Sequence, residues 1–233
     1  METDPESRQG ASSMRIAGEA SNGTLIVFEG IDGSGSTTQA ARYAAHLRAR
    51  RRLVQVTREP SGGPVGALLR LVLTHRLALP AANHGETMAL LFAADRLDHI
   101  AAEIMPLLRD GYVVISDRYD LSSLAYQATV AMDEGRDQTS MLAWIRELNR
   151  HALRPDVTVV LDVDPDVAAQ RRKERGGAHE LFDDPELQAR LATAYRRAED
   201  LVPGDRFIHI DGGGDPDSIA REVAAALDPI VER

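Results

Sequence analysis

Residues 30–38 of this 233-residue chain read Gly30-Ile31-Asp32-Gly33-Ser34-Gly35-Ser36-Thr37-Thr38. The stretch matches the phosphate-loop (P-loop) pattern G-x-x-x-x-G-K-[ST] at every defined position except the lysine, which is replaced by Ser36. The glycines of such a loop let successive backbone N–H groups point at phosphate oxygens, and the following helix adds its positive N-terminal end. We therefore expect a phosphate site, with the Thr37 hydroxyl on Mg²⁺ and the remaining contacts from Gly30, Gly33, Ser34, Gly35, Ser36 and Thr38.

The serine at position 36 removes a positive charge from this predicted phosphate site. It offers at best a neutral hydrogen bond where a lysine offers a charge-assisted one. That loss is roughly 1–2 kcal/mol, or about one to two orders of magnitude in rate. We therefore expect a cation elsewhere in the chain to compensate. Taken alone, the loop has an alternative interpretation as a glycine-rich turn between a strand and a helix that binds no ligand.

Five short apolar runs, rich in β-branched residues, lie at 24–28, 53–57, 112–116, 157–161 and 206–210. Segments with the apolar spacing of helices separate them. Strands that are apolar throughout and alternate with helices form a mostly parallel sheet covered on both faces. The sequence therefore predicts an α/β fold, a three-layer αβα arrangement around a five-stranded parallel sheet. Ligands are expected beyond the carboxyl ends of the strands.

The composition is that of a globular protein, with 43% hydrophobic and 27% charged residues. A formal net charge of −9 repels nucleic-acid backbones, so we expect no nucleic-acid partner. Any anionic ligand then needs a local cluster of basic groups. The chain has no cysteine, which excludes disulfides, cysteine-ligated zinc and thiol catalysis.

The length fits one α/β domain better than two. We predict a flexible N-terminal tail over residues 1–22 and a single domain over 23–233. The tail is rich in Ser, Glu, Gly and Ala, and it lacks the continuous apolar stretch of a signal peptide or membrane anchor. We therefore expect a cytoplasmic protein with no membrane partner.

Charged residues end the second and third apolar runs, in Thr57-Arg58-Glu59-Pro60 and Ser116-Asp117-Arg118-Tyr119. The carboxyl ends of parallel strands meet at one edge of a sheet, so these residues are expected near the phosphate loop. Asp117 has the position of the acidic residue that approaches Mg²⁺ in phosphate-loop enzymes. Arg58 and Arg118 can bind an acceptor phosphate through paired N–H groups. For each arginine alone, a surface ion pair is the alternative interpretation.

Four segments of the chain, in this order, resemble the thymidylate kinase family. They are Phe28-Glu29-Gly30-Ile31-Asp32-Gly33-Ser34-Gly35, Thr57-Arg58-Glu59-Pro60, Leu91-Phe92-Ala93-Ala94-Asp95-Arg96 and Asp117-Arg118-Tyr119-Asp120-Leu121-Ser122-Ser123-Leu124-Ala125-Tyr126-Gln127. The resemblance runs from about residue 24 to the carboxyl end, and the combination is far more specific than a phosphate loop alone. It implies the phosphate-loop nucleoside-monophosphate kinase fold with a lid segment, and ATP as the ligand of the loop.

The resemblance also implies a substrate site for thymidine monophosphate. Phe92 would stack on the thymine ring, Arg96 would hydrogen-bond a base carbonyl, and Tyr126 would lie against the sugar. Asp32 would contact the sugar 3′-hydroxyl or the acceptor phosphate. Arg58 and Arg118 would hold that phosphate in line with ATP. The implied substrate residues are Asp32, Arg58, Phe92, Arg96, Arg118, Ser122, Ser123, Tyr126 and Gln127, of which Asp32, Arg58 and Arg118 are also implied in catalysis.

Several of these residues also have an interpretation without a ligand. Phe92 falls on the apolar face of a helix and could be a core residue, although Arg96 one helical turn later favours the base site. Tyr126 and the two serines before it could simply open and cap the next helix. Asp32 could form a turn through its side chain.

Four cations lie close together in Gln170-Arg171-Arg172-Lys173-Glu174-Arg175-Gly176-Gly177. In the resembled family this segment is a mobile lid, here about residues 171–184, whose basic residues close over the ATP phosphates. Members with glycine at the position of Gly33 carry their catalytic arginine there. The resemblance implies ATP binding by Arg171 and Arg175, and catalysis by Arg172 or Lys173, one of which would supply the missing charge. A solvated basic helix end that complements the helix dipole is the alternative.

The resemblance implies ATP-dependent phosphorylation of thymidine monophosphate to thymidine diphosphate in dTTP biosynthesis, with Mg²⁺ as cofactor. It also implies a homodimer that packs through the helices near residues 88–108 and 121–132. Two alternatives stay open at this point. One is a kinase for another nucleoside monophosphate or for a deoxynucleoside. The other is a non-catalytic nucleotide-binding regulator that has lost the lysine.

Overall fold

The computed structural model describes residues 23–79, 84–133, 135–176 and 184–232. The predicted tail (1–22) and residues 177–183 of the predicted lid lie outside the described residues. In the described part of the chain, no helix has both the length and the apolar character needed to cross a membrane. The single domain over 23–233 and the cytoplasmic location stay predictions.

The centre of the molecule is a five-stranded parallel sheet. Its strands are β1 (Thr24–Glu29), β2 (Val54–Arg58), β3 (Val113–Asp117), β4 (Val157–Asp162) and β5 (Phe207–Asp211). Their order across the sheet is β2-β3-β1-β4-β5. The sequence predicts all of them to within one residue at each end, because such apolar runs are typical of strands buried on both faces.

Helices cover both faces of this sheet, as predicted. They are α1 (Ser36–Ala49), α2 (Pro64–Leu73), α3 (His84–His99), α4 (Met105–Arg109), α5 (Asp120–Asp133), α6 (Gln138–Leu148), α7 (Pro165–Arg175), α8 (Pro185–Tyr195), α9 (Ala198–Leu201) and α10 (Pro216–Val231). A π-helical segment (Ile100–Ile104) joins α3 to α4. The three-layer αβα prediction is therefore confirmed.

The side chains of β1 alternate between two hydrophobic cores. Ile26 and Phe28 pack in a core with residues of α1 and α10. Leu25 and Val27 pack in another core with residues of the π-helical segment and α4. Successive side chains of a strand point to opposite faces, so an apolar run such as β1 is stable only between two layers of helices.

The loops that follow β1 and β3 lie together at the carboxyl edge of the sheet. Strand β1 lies between β3 and β4, so the loops that follow β1 and β3 are neighbours. The backbone N–H of Arg118 donates to the Phe28 carbonyl at 2.8 Å and joins these two loops. Open parallel sheets bind ligands at this edge.

Candidate active site

The phosphate loop joins β1 to α1 and packs directly against α7. Gly33 has a φ of +90°, and a Cβ atom at this position would lie 2.4 Å from the Ala168 carbonyl oxygen in α7. Gly35 caps α1 with a φ of 98°. The loop therefore needs glycine at position 33 for two reasons, its left-handed backbone and the close approach of the lid-bearing helix.

Two hydroxyl groups of the loop face the carboxylate of Asp117. Ser36 Oγ donates to Oδ1 at 2.7 Å, and Thr37 Oγ1 donates to Oδ2 at 2.5 Å. Carboxylate and hydroxyl oxygens suit Mg²⁺, which in kinases is also bound by substrate phosphates and water. The described residues contain no group of three or more His, Cys, Asp or Glu that could hold a metal. The Asp117 carboxylate and the Thr37 hydroxyl fit Mg²⁺ that is also bound by nucleotide phosphates.

One cavity beside the phosphate loop brings together all of the predicted substrate residues except Arg58. Its lining residues are Asp32, Glu59, Pro60, Leu73, Phe92, Arg96, Arg118, Tyr119, Ser122, Ser123, Tyr126 and Gln127. Arg58 is exposed at the carboxyl end of β2, the edge strand, and is not part of this lining. The lining residues come from segments far apart in the chain, so the fold assembles the cavity.

The side chain of Arg118 is held in one orientation by the groups around it. Its Nη2 atom donates to Asp32 Oδ1 at 2.5 Å. Tyr126 donates its hydroxyl to the other oxygen of Asp32 at 3.2 Å. The acceptors near Arg118 Nη1 are the Gly30 carbonyl at 3.0 Å, the Tyr195 hydroxyl at 3.1 Å and Ser122 Oγ at 3.2 Å. Arg118 and Asp32 thus face the cavity as an oriented pair.

Arg96 is a buried cation, with 1% of its surface exposed. It donates to Glu59 Oε2 at 2.7 Å, to Ser123 Oγ at 3.2 Å and to Asn149 Oδ1 at 2.5 Å. Burial lowers the pKa of Arg96, but Glu59, Asp120 and Tyr119 together raise it by more, so the guanidinium stays charged. Among the described residues, Arg96 Nε has no hydrogen-bond partner. Arg96 itself lines the cavity, so this unpaired donor belongs to the wall of the site.

Helix α7 places two of its four C-terminal cations on the phosphate loop and its surroundings. Arg171 donates to the backbone carbonyls of Gly212 at 2.7 Å and Ser34 at 3.3 Å. Arg172 donates to the backbone carbonyl of Asp32. Lys173 and Arg175 are exposed. Of the two candidates for the missing lysine's charge, Arg172 is the one with a described contact to the loop.

A family model described as thymidylate kinase matches residues 28–222. The chain belongs to the thymidylate kinase family. The matched range contains the phosphate loop, the whole cavity lining and α7. The family and the phosphate-loop nucleoside-monophosphate kinase fold predicted from the sequence are confirmed.

Individual members of the thymidylate kinase family resemble the chain over most of their length. The chain is 42% identical over 209 residues to the thymidylate kinase of Ruegeria pomeroyi, which covers 86% of this chain and 92% of that protein. It is 42% identical over 196 residues to the thymidylate kinase of Bifidobacterium longum, covering 82% and 90%. It is 40% identical over 206 residues to the probable thymidylate kinase of Pyrobaculum calidifontis, covering 88% and 95%.

The candidate site also contains a buried carboxylate, Glu29, that the sequence-based set lacks. Its Oε1 accepts the backbone N–H groups of Tyr119 at 2.8 Å and Ser122 at 3.2 Å. Its Oε2 accepts the hydroxyls of Ser122 at 2.6 Å and Tyr195 at 3.1 Å. Burial raises the pKa of Glu29 from 4.5 to about 7, although Arg118 and the hydrogen bonds oppose the shift. An acidic residue at the end of an otherwise apolar run is the local signal that identifies it.

Glu29→Gln is expected to change how the stability of this thymidylate-kinase chain depends on pH. The folded protein binds the Glu29 proton more tightly than the unfolded chain, because burial raises the pKa of this group to about 7. Glu29 therefore contributes fully to the free energy of unfolding below about pH 4.5. This contribution, about 3 kcal/mol, is lost as the pH rises to about 7. Urea unfolding from about pH 5 to pH 8 should show Glu29→Gln gaining about 2–3 kcal/mol relative to wild type. Parallel pH profiles for the two proteins would contradict this assignment.

Proposed function

We propose that this protein transfers the γ-phosphoryl group of ATP to thymidine monophosphate, yielding ADP and thymidine diphosphate for dTTP biosynthesis. Membership of the thymidylate kinase family supports this reaction. The observation that carries the proposal is the shared cavity, where Phe92 and Arg96 form one lining with Arg118 and with Asp32 of the phosphate loop. A bound monophosphate would place its base beside Phe92 and Arg96, and its phosphate beside Arg118 and Asp32.

The polar groups of the cavity complement thymine. Arg96 Nε is a buried donor and Gln127 Oε1 is a buried acceptor, and neither has a hydrogen-bond partner among the described residues. Thymine offers a carbonyl oxygen beside its N3–H group, so it can pair with both. Cytosine presents an amino donor beside a ring acceptor, which would leave both protein groups unpaired at about 1–3 kcal/mol each. The remaining assignments are stacking by Phe92, base-edge contacts by Ser122 and Ser123, and sugar contact by Tyr126.

The acceptor phosphate is assigned to Arg118, which lines the cavity in an orientation fixed by Asp32. Arg58 is exposed at the carboxyl end of β2, in register with Asp117 of β3, and its long side chain can extend toward the same phosphate. Phosphoryl transfer depends on alignment and charge neutralisation. Because the acceptor is already an anion, these groups need no dedicated general base.

The ATP phosphates are assigned to the phosphate loop and to the cations of α7. Mg²⁺, which neutralises phosphate charge when bound, would be held by Thr37 and Asp117. The oxygen donors that these residues place together support this assignment. The cations assigned to ATP binding are Arg171 and Arg175. Of the two candidates for the charge that Ser36 lacks, we assign Arg172, because it contacts the loop, whereas Lys173 is exposed.

A coupled assay of ADP formation tests the proposed reaction, with ATP, Mg²⁺ and each natural nucleoside monophosphate offered separately. We expect kcat/KM for thymidine monophosphate to exceed that for deoxycytidine monophosphate by at least about 10²-fold, because cytosine leaves two buried groups unpaired. Thymidine, which has no phosphate, serves as the control and should not be phosphorylated. Faster turnover of another monophosphate would reassign the substrate. ATP binding without turnover of any acceptor would contradict an enzymatic role.

We also propose that the protein forms a homodimer through α3 and α2. Leu90 and Leu97, seven residues apart on one face of α3, are 50% and 41% exposed. Leu68 and Leu71 of α2 are 37% and 43% exposed, and α2 packs against α3. Residues 123–129 of α5, the other helix expected at the interface, are buried within this chain. The exposed leucines therefore favour the α3 side as the contact surface.

Replacing Leu90 and Leu97 together by Glu is expected to convert the dimer to a monomer. Charges on this face would lose their hydration at the interface, which costs several kcal/mol for each buried charge. Light scattering should show the mass falling from twice the chain mass to the 25.4 kDa of one chain. Leu53→Glu is the matched control, because Leu53 is 54% exposed and precedes β2. A wild-type mass of 25.4 kDa would contradict the homodimer.

A further inference from the structure

Tyr195, the last residue of α8, brings one hydroxyl group into contact with three other elements of the fold. The residue is buried, with 2% of its surface exposed. The atoms near its hydroxyl are Ser122 Oγ of α5 at 2.9 Å, Arg118 Nη1 after β3 at 3.1 Å and Glu29 Oε2 of β1 at 3.1 Å. Helix α8 therefore reaches the acceptor side of the proposed site through this group.

The direction of these hydrogen bonds follows from which groups can donate. Arg118 only donates and an ionised Glu29 only accepts. Ser122 Oγ donates to Glu29 Oε2 at 2.6 Å. The Tyr195 oxygen therefore accepts from Arg118, and its own proton goes to Glu29 or Ser122. A side chain without the hydroxyl would leave an N–H group of Arg118 without this acceptor.

Arg118 depends on its surroundings for its conformation. Its φ of 73° lies in the left-handed region, which residues other than glycine adopt only where neighbouring groups hold them there. Its guanidinium lies 5.4 Å from the centre of the Tyr126 ring. The Tyr126 and Tyr195 rings meet edge to face with their centres 6.5 Å apart. These two tyrosines therefore form a support for the guanidinium.

We infer that Tyr195 is a positioning residue whose hydroxyl orients Arg118 toward the acceptor phosphate. The inference rests on the proposed function, because Arg118 gains a ligand partner only from an acceptor that carries a phosphate. Tyr195 is not among the residues that line the cavity, so it acts through Arg118. Helix α8 begins at Pro185, just beyond the predicted lid. Through its contact with Arg118, the Tyr195 hydroxyl thus links α8, the helix that follows the predicted lid, to the proposed site of the acceptor phosphate.

Calorimetric titration of Tyr195→Phe in the full chain tests this role, with thymidine monophosphate and thymidine as ligands and no ATP. We expect the Kd for the monophosphate to rise about tenfold and the Kd for thymidine to change less than about twofold, since only the phosphate contacts Arg118. Tyr43→Phe is the matched control. It removes another buried tyrosine hydroxyl, 3.3 Å from Asp228 of α10, and should leave both Kd values unchanged.

The outcomes separate this inference from the proposed function. Wild-type binding of both ligands, with equal losses or no loss in Tyr195→Phe, overturns the positioning role alone. Wild-type protein that binds neither ligand overturns the proposed function as well. Glu29→Gln gives a second test should Tyr195→Phe fold poorly, because it removes the carboxylate that accepts from Tyr195 and Ser122. The same preferential loss of monophosphate binding is expected, and its absence overturns the inference.

Discussion

Arg172→Ala is expected to lower kcat about 10³-fold, or about 4 kcal/mol, while the Kd for thymidine monophosphate changes less than about twofold. Arg172 contacts the phosphate loop through the Asp32 carbonyl, and of the two candidates for the missing charge it is the one with such a contact. The loop itself has no cation, because position 36 is serine. A charge that acts on the transferring phosphoryl group lowers the barrier without strengthening acceptor binding. Steady-state kinetics and calorimetric titration measure the two effects separately.

Lys173→Ala is the matched control for this expected loss. Lys173 is the next residue of α7 and is exposed, so we expect kcat to fall less than about threefold. A second control returns the missing charge to the loop: Ser36→Lys, added to Arg172→Ala, should restore about tenfold of the activity. Equal losses for the two lid variants, or equal losses in kcat and in monophosphate binding, would contradict the role of Arg172.

Gly33→Ala is expected to lower kcat about 10²-fold and the free energy of unfolding by about 2–4 kcal/mol. The new Cβ atom would lie 2.4 Å from the Ala168 carbonyl oxygen, and it would sit on a backbone with φ +90°. Helix α7 or the loop must then move. Either movement shifts Arg172 relative to the ATP phosphates. Kinetics with thymidine monophosphate and urea unfolding measure the two losses.

Gly204→Ala separates backbone strain from the contact with α7. Gly204 has a φ of +94°, close to that of Gly33, but a Cβ atom there would have no neighbour within 4 Å. We expect this variant to lose about 1–2 kcal/mol of stability and to keep its activity. Equal losses of stability and activity in the two variants would show that the close approach of α7 is not required.

The strands and the fold could be predicted because their signals are local. Each strand is a short apolar run between polar or glycine residues, and alternation with helices requires a parallel sheet. The order of the strands is not a local property. The structure places Arg58 at the end of the edge strand β2, exposed and in register with Asp117, and its role at the acceptor phosphate stays a prediction.

The candidate site was predictable where its residues belong to compact motifs. Phe92 and Arg96 share one helix, and Ser122 to Gln127 share another, so each group forms a short motif whose resemblance to the thymidylate kinase family implied its role. Tyr195 has no such signal, because its hydroxyl partners Ser122 and Glu29 lie 73 and 166 residues away. From the sequence it is a tyrosine on an amphipathic helix, and only the fold brings it to Arg118.

The most direct measurement is a single-turnover transfer of labelled γ-phosphoryl from ATP, with Mg²⁺, thymidine monophosphate and the wild-type chain in excess over ATP. If Arg172 supplies the charge that the phosphate loop lacks at Ser36, the label should move to thymidine diphosphate. The label should stay in ATP when thymidine replaces the monophosphate. Label that remains in ATP with the monophosphate present, or that appears only as free phosphate, would contradict phosphoryl transfer by this site.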